Sequence, residues 1–134
     1  MSKVLQILSI PIVSLDKRES FLIDVNRRKI RFTRCSYQER HQGIIILVRL
    51  DVDGSSHPNP EVSEVPISYL EPYNGEIIDC PHLHIYVEGF MDKWAIPTPI
   101  DRFSRTNDIY VTLYDFFEYC HIVEPPIIQG RLFI

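Results

Sequence analysis

The sequence has few cysteines, none of them paired, and it has no long apolar run. Cys35, Cys80 and Cys120 are far apart, and none forms the C-x-x-C pair that a zinc ribbon or a redox motif needs. We therefore expect reduced thiols in a cytoplasmic protein. The apolar N-terminal stretch is too short to span a membrane and lacks a small-residue cleavage site, so we expect neither export nor a membrane partner.

The sequence also lacks the common signatures of catalysis. It contains no phosphate-binding loop, dinucleotide-binding fingerprint, nucleophile elbow or zinc-finger spacing. Its formal charge of -4 argues against a protein that coats nucleic acid through bulk charge, because such domains are usually basic. The sequence therefore predicts no cofactor and no metal, and it leaves open whether the protein is an enzyme.

What is present is the composition of an ordinary folded domain. The chain has 134 residues, of which 45% are hydrophobic and 24% charged, which is enough for one buried core. No internal repeat or linker divides it, so we expect a single domain over residues 1–134. The first fifteen residues, which include Pro11, fit an edge strand or a tail lying across a sheet.

The pattern of the remaining residues predicts strands first and a helix last. The residue pattern favours a hairpin of residues 21–25 and 28–38 and a second hairpin of residues 82–87 and 93–96. The continuous aliphatic run at residues 44–48 indicates a central strand that is covered on both sides. Thr106 or Asn107 is expected to cap a helix that runs to about Tyr119, and extended segments follow residue 123. The expected fold is α+β, with a mostly antiparallel, curved sheet of about five or six strands and one C-terminal helix packed on it.

Three histidines form the most suggestive group for chemistry. His82 and His84 alternate along a predicted strand, so both rings project from one face, and His57 lies in the long excursion that follows the central strand. Three imidazoles would suit zinc with an open position for water, and this alternative stays open beside the reading of a sheet face that simply carries two histidines. Asp51 and Asp53 would suit magnesium, or else cap a turn.

Without metal, the same histidines would suit cleavage of an RNA phosphodiester, with His82 and His84 as acid and base and His57 assisting. Six of the fourteen Lys and Arg residues lie within residues 27–40 and form a local basic patch. Guanidinium groups there would hold the backbone and an aromatic ring would stack on a base. The candidate nucleic-acid-binding residues are Arg28, Lys29, Arg31, Arg34, Arg49 and Tyr37.

Several of these segments resemble a bacterial family catalogued as a domain of unknown function. The resemblance lies in a pattern of HPNP at residues 57–60, PHLHIY at 81–86, EGF at 88–90 and DKWA at 92–95. It implies no activity by itself. Small families of this kind are often associated with toxin-antitoxin or phage-host conflict systems.

The first expectation for function is therefore a non-enzymatic interaction or regulatory module, such as an inhibitor in a conflict system, whose partner is another protein. The absence of a catalytic signature and the acidic charge, which would complement a basic partner, motivate it. The alternative is a metal-independent endoribonuclease, whose partner is RNA. Trp94, between Lys93 and Ala95, is expected to anchor the core.

Overall fold

A computed structural model describes residues 8–35 and 44–126 of the chain. The main sheet has six strands in the order β1-β2-β3-β4-β7-β8, and every neighbouring pair is antiparallel. Its strands are β1 (Leu8–Val13), β2 (Ser20–Val25), β3 (Lys29–Cys35), β4 (Ile44–Asp51), β7 (His82–Val87) and β8 (Met91–Pro97). A second, two-stranded sheet pairs β5 (His57–Pro58) with β6 (Ile77–Ile78).

The strand register aligns apolar side chains in a row across the main sheet. Leu8, Val25, Ile30, Leu50, Leu83 and Ile96 are successive cross-strand partners. Helix α1 (Ile109–Tyr119) covers this face with Leu113, Phe116 and Phe117, which are at most 1% exposed. Burying each such side chain contributes about 1.5–3 kcal/mol, so the contact between the helix and the sheet holds the main core together.

The predicted α+β class with a C-terminal helix is confirmed, and the sheet has the predicted strand number. The expected helix cap is wrong, because Asp108 and not Thr106 or Asn107 precedes α1. The Asp108 carboxylate accepts hydrogen bonds from the backbone N–H groups of Tyr110 and Val111 at 3.0 and 3.1 Å. A carboxylate at this position also meets the positive end of the helix dipole, which favours it over Asn.

Two strands are longer than the sequence predicts. β4 runs to Asp51 and not only to residue 48, and β8 spans Met91–Pro97 and not only residues 93–96. Within the described residues β1 is an edge strand, as one of the two expectations for the first fifteen residues had it, and the expected strand residues 36–38 and the extended segments after residue 126 lie outside the described residues. Among the described residues, no helix is long and apolar enough to cross a membrane.

The excursion between β4 and β7 folds back onto the sheet. It contains β5, a 3-10 helix (Ser68–Tyr73) and β6. Leu70 of the 3-10 helix and Trp94 of β8 are completely buried and form a second core with Val87, so the prediction that Trp94 anchors a core is confirmed. The long loop therefore covers the β8 end of the sheet.

Candidate functional site

A row of polar residues crosses the main sheet on the face opposite to helix α1. Ser9, Asp24, Arg31, Arg49 and His84 are successive cross-strand partners on β1, β2, β3, β4 and β7. This arrangement follows from the period of two in a strand, which sends neighbouring rows to opposite faces. It places a guanidinium beside an imidazole, and Asp51 and His82 form the next pair on the same face.

The three predicted histidines do come together. The ring centroid of His57 lies 4.5 Å from that of His84 and 6.0 Å from that of His82, and the rings of His82 and His84 are 4.9 Å apart. The β4–β7 register and the return of the excursion bring them to one place. We call the set Arg49, Asp51, His57, His82, His84 and Asp92 the histidine cluster.

Two rings of the cluster are buried. The side chains of His82 and His84 are 1% exposed, whereas His57 is half-buried and the Arg49 and Asp92 side chains are 20% and 29% exposed. The three imidazoles therefore do not open together onto one cleft beside the basic strand. A substrate would have to displace part of the cover to reach either of the two buried rings.

Backbone carbonyls fix the orientation of both buried rings. Nδ1 of His82 lies 3.0 Å from the carbonyl oxygen of Ile78, and Nδ1 of His84 lies 2.9 Å from that of Asp92. A carbonyl only accepts, so each Nδ1 carries the hydrogen and donates. Each Nε2 is then turned toward the middle of the cluster.

Arg49 supplies the positive charge of the cluster. Its Nε and Nη2 donate to the two carboxylate oxygens of Asp51 at 2.9 and 3.2 Å, and its Nη1 donates to Asp92 at 3.1 Å. Nη2 also lies 2.8 Å from Nε2 of His84, which accepts from it. Such charge-assisted contacts orient the carboxylates as well as pair them.

Asp51 is ionised in this environment. Burial by itself raises the pKa of its carboxyl group, but the hydrogen bonds and the positive charge of Arg49 lower it, and the net effect holds the pKa well below its usual range. Burial lowers the pKa of His57, because it disfavours the charged imidazolium. The nearby His84, His82 and Arg49 lower this pKa further, whereas the hydrogen bond to the Lys93 carbonyl raises it. His57 is accordingly neutral at neutral pH.

The HPNP segment closes the outer edge of β8. Nε2 of His57 lies 2.6 Å from the carbonyl oxygen of Lys93, and the Asn59 carboxamide pairs with both the N–H and the C=O of Ala95 at 2.8 Å. His57 and Asn59 alternate with prolines, so both side chains point toward the strand. This role of Asn59 could not be predicted from sequence, because its partner lies 36 residues away.

The predicted nucleic-acid-binding residues do not form one free basic surface. Arg31 pairs with Asp24 at 3.3 Å and Arg34 with Glu19 at 2.8 Å, while Arg49 belongs to the histidine cluster. Arg28 and Lys29 are exposed and have no ion pair with another described residue. Tyr37 lies outside the described residues.

Sequence reasoning missed two members of the cluster's charge network. Asp92 was not singled out, and Asp51 was considered only for magnesium or a turn cap. Arg49 and Asp51 do alternate along β4 just as His82 and His84 do along β7, which is a signal of one shared face. Local spacing cannot show which strand lies opposite, so the pairing had to come from the tertiary structure.

Comparison with known proteins identifies a family without assigning a function. No curated protein and no solved structure matches the chain. The sequence profile of a family of unknown function, DUF6978, matches residues 3–122. The chain therefore belongs to the DUF6978 family, in agreement with the resemblance to a domain of unknown function.

Proposed function

We propose that the chain is a non-enzymatic protein-interaction module, a regulator or inhibitor, that binds an extended apolar segment of a partner protein along β1. The observation that carries the proposal is a strand edge with which no described residue pairs, beside an apolar groove. The groove has a volume of about 540 Å³. Its assignment to a bacterial toxin-antitoxin or phage-defence system is supported by the family resemblance alone, and three free cysteines support a reducing, cytoplasmic location.

The groove lies between the start of the sheet and the segment that follows α1. Ile12, Val13 and Leu15 line one side, and Ile122 and Val123 line the other. Val13 is 52% exposed, Leu15 84% and Val123 70%. Contiguous exposed apolar side chains of this kind mark surfaces that bind other proteins.

The two edges of the main sheet differ in whether other described residues cover them. The outer edge of β8 is covered by His57 and Asn59, whereas no described residue pairs with the outer edge of β1. An unpaired edge offers backbone N–H and C=O groups to a strand from another protein. Pro11 lacks an N–H, so a partner strand would pair on either side of it.

The burial of two rings in the histidine cluster also supports a non-enzymatic function. Each of the two buried rings is bonded to a backbone carbonyl, and His84 also accepts from Arg49. A ring such as that of His84, which is hydrogen-bonded at both nitrogens and shielded from water, is suited to holding the fold together. A catalytic pair would need at least one ring nitrogen open to a substrate.

Site-specific photocrosslinking tests the proposal in cells. A photoreactive residue at Leu15 should crosslink to one protein, whereas the same residue at Ile100 should not. Ile100 is 82% exposed and does not line the groove, which makes it a matched control.

Affinity measurements with the purified partner provide a second test. Leu15→Asp should weaken binding at least about tenfold, because it places a charge in an apolar contact, and Ile100→Asp should leave affinity unchanged. Equal crosslinking or equal affinity at the two positions would refute the groove as the binding surface.

A metal-independent endoribonuclease is the second candidate, and the proximity of Arg49 to His84 favours it. Nη2 of Arg49 lies 2.8 Å from Nε2 of His84, which combines a proton-transfer group with a cation that can stabilise a phosphorane. In this function His82 and His84 act as acid and base with His57 assisting. Purified protein should then cleave RNA, and His57→Ala should slow cleavage. RNA that stays intact from about pH 5 to about pH 9 would remove this candidate.

A further inference from the structure

We propose that Asp51, His82 and His84 form a binding site for one divalent first-row transition-metal ion such as Zn²⁺. The donor atoms are Oδ2 of Asp51 and Nε2 of each histidine. Oδ2 lies 3.3 Å from Nε2 of His82 and 3.5 Å from Nε2 of His84. All three donors lie within 4.8 Å of one another, and the residues that carry them are buried. This site differs from the three-imidazole site that the sequence suggested, since Asp51 takes the place of His57.

The two oxygen-to-nitrogen distances match the ligand spacing of a tetrahedral site. Metal-to-ligand distances of about 2.0–2.15 Å place neighbouring ligands about 3.3–3.5 Å apart in a tetrahedron. Imidazole and carboxylate together suit Zn²⁺, Fe²⁺ or Co²⁺, whereas Mg²⁺ and Ca²⁺ prefer sites made of oxygen alone. The donor chemistry therefore selects a transition metal.

The surroundings of the two rings are those of metal-binding histidines. Each Nδ1 donates to a backbone carbonyl, of Ile78 for His82 and of Asp92 for His84. Such outer bonds fix the tautomer with the Nε2 lone pair directed inward, and they raise the basicity of that nitrogen. The cover provided by the excursion would also keep an ion from exchanging freely with solvent.

Nε2 of His82 lies beside the Asp51 carboxylate without a contact from Arg49. Nδ1 of His82 lies 3.0 Å from the carbonyl oxygen of Ile78, and its Nε2 lies 3.3 Å from Oδ2 of Asp51. Among the described residues, Arg49 donates to Asp51 and His84, but it forms no hydrogen bond with His82.

Arg49 would compete with the ion. Its Nη2 lies 2.8 Å from Nε2 of His84 and 3.2 Å from Oδ2 of Asp51, and an ion bound to the same two atoms requires that this nitrogen move. The guanidinium keeps a second partner, because Nη1 contacts Asp92 at 3.1 Å. Metal binding is thus an exchange of one cation for another at two shared acceptors.

Titration of the tag-free protein with Zn²⁺ and Co²⁺ tests the site directly. Calorimetry should give one equivalent of Zn²⁺, and Co²⁺ should develop the visible absorption of a nitrogen- and oxygen-bound ion. His82→Gln and Asp51→Asn should each weaken binding by more than about 100-fold, since changing even a residue that only hydrogen-bonds to a metal ligand costs about 10–100-fold. His121→Asn is the matched control, because His121 is exposed, lies outside the histidine cluster and has a φ of 58° that Asn tolerates. Its affinity for the ions should be unchanged.

Two further measurements remain informative if a donor variant does not fold. In the wild-type protein, Zn²⁺ should shift the Nε2 resonances of His82 and His84 in nitrogen-edited spectra of the imidazoles and leave His121 unshifted. Arg49→Gln removes the competing cation, so Zn²⁺ should bind it more tightly and raise its Tm more than that of the wild type. The proposal is overturned if no stoichiometric binding occurs, if His121 responds alone, or if the spectra show a proton on Nε2 of His82 that saturating Zn²⁺ does not remove.

Discussion

Replacing Asn59 with alanine should detach the HPNP segment from the edge of β8. The Asn59 side chain is nearly buried, at 7% exposed, and makes three hydrogen bonds to backbone groups. Its Nδ2 donates to the carbonyls of Ala95 and Tyr73 at 2.8 and 3.1 Å, and its Oδ1 accepts from the N–H of Ala95 at 2.8 Å. Asn59→Ala leaves all three backbone groups without this partner.

The expected loss of stability follows from that count. A net hydrogen bond contributes about 1 kcal/mol, and a buried group left unpaired costs about 1–3 kcal/mol. Because water can reach part of the β8 edge once the segment loosens, we expect the free energy of unfolding to fall by about 2–4 kcal/mol. For a chain of this size, that loss lowers Tm by about 10 °C.

Urea denaturation followed by circular dichroism measures this change, and Asn26→Ala is its matched control. Asn26 Oδ1 accepts from the N–H groups of Arg28 and Lys29, both at 2.8 Å, but at an exposed turn where water can replace the side chain. We expect the control to lose less than about 1 kcal/mol. If Asn59→Ala also loses less than this, the carboxamide does not hold the excursion in place and the reasoning is refuted.

Three further predictions concern charge, backbone strain and thiol reactivity. Arg49→Met leaves two carboxylates without their ion pair and should cost about 3 kcal/mol in urea denaturation; a loss under about 1 kcal/mol would show that the network is not stabilising. Gly75→Ala and Gly89→Ala both place a side chain at positive φ, and calorimetric melting should show the larger loss, about 1–2 kcal/mol, at Gly75, where the new Cβ would lie 3.2 Å from a Glu61 carbon. Burial raises the pKa of Cys120 to about 12, so about 10⁻⁴ of the thiol is thiolate at pH 8. Alkylation of Cys120, followed by mass spectrometry, should therefore be slow at pH 8 and should accelerate about tenfold per pH unit. Rapid alkylation of Cys120 at pH 8 would contradict that assignment.

The residues that surround His82 and His84 change the interpretation of these two histidines. Spacing alone predicted that His82 and His84 share a face, and the β7 register confirms it. The strand opposite carries Arg49 and Asp51 at the same positions, so the face is an ionic network and not a bare pair of imidazoles. The chemical role of two histidines on a strand therefore cannot be predicted without knowing the residues of the neighbouring strand.

The predicted basic patch shows the same limit. Arg31 and Arg34 are close in sequence to other cations, which suggested a nucleic-acid surface. In the sheet they lie opposite Asp24 and near Glu19, on the neighbouring strand and the segment before it, and these carboxylates pair with them. Charge density along the chain overestimates the free charge on a surface, because antiparallel pairing brings in the charges of the adjacent strand.

The sequence by itself determined which side chains share a face. Alternation placed His82 and His84 on one face of a strand, and the helical period placed a helix ending at about Tyr119, because both periods are fixed by local backbone geometry. Only the tertiary structure decided which residues meet across strands, such as Arg49 with His84, and that the excursion returns to the edge of β8. Those contacts join residues more than thirty positions apart, as in the pairs separated by 35 and 36 residues, and their register is set by the packing of the whole sheet.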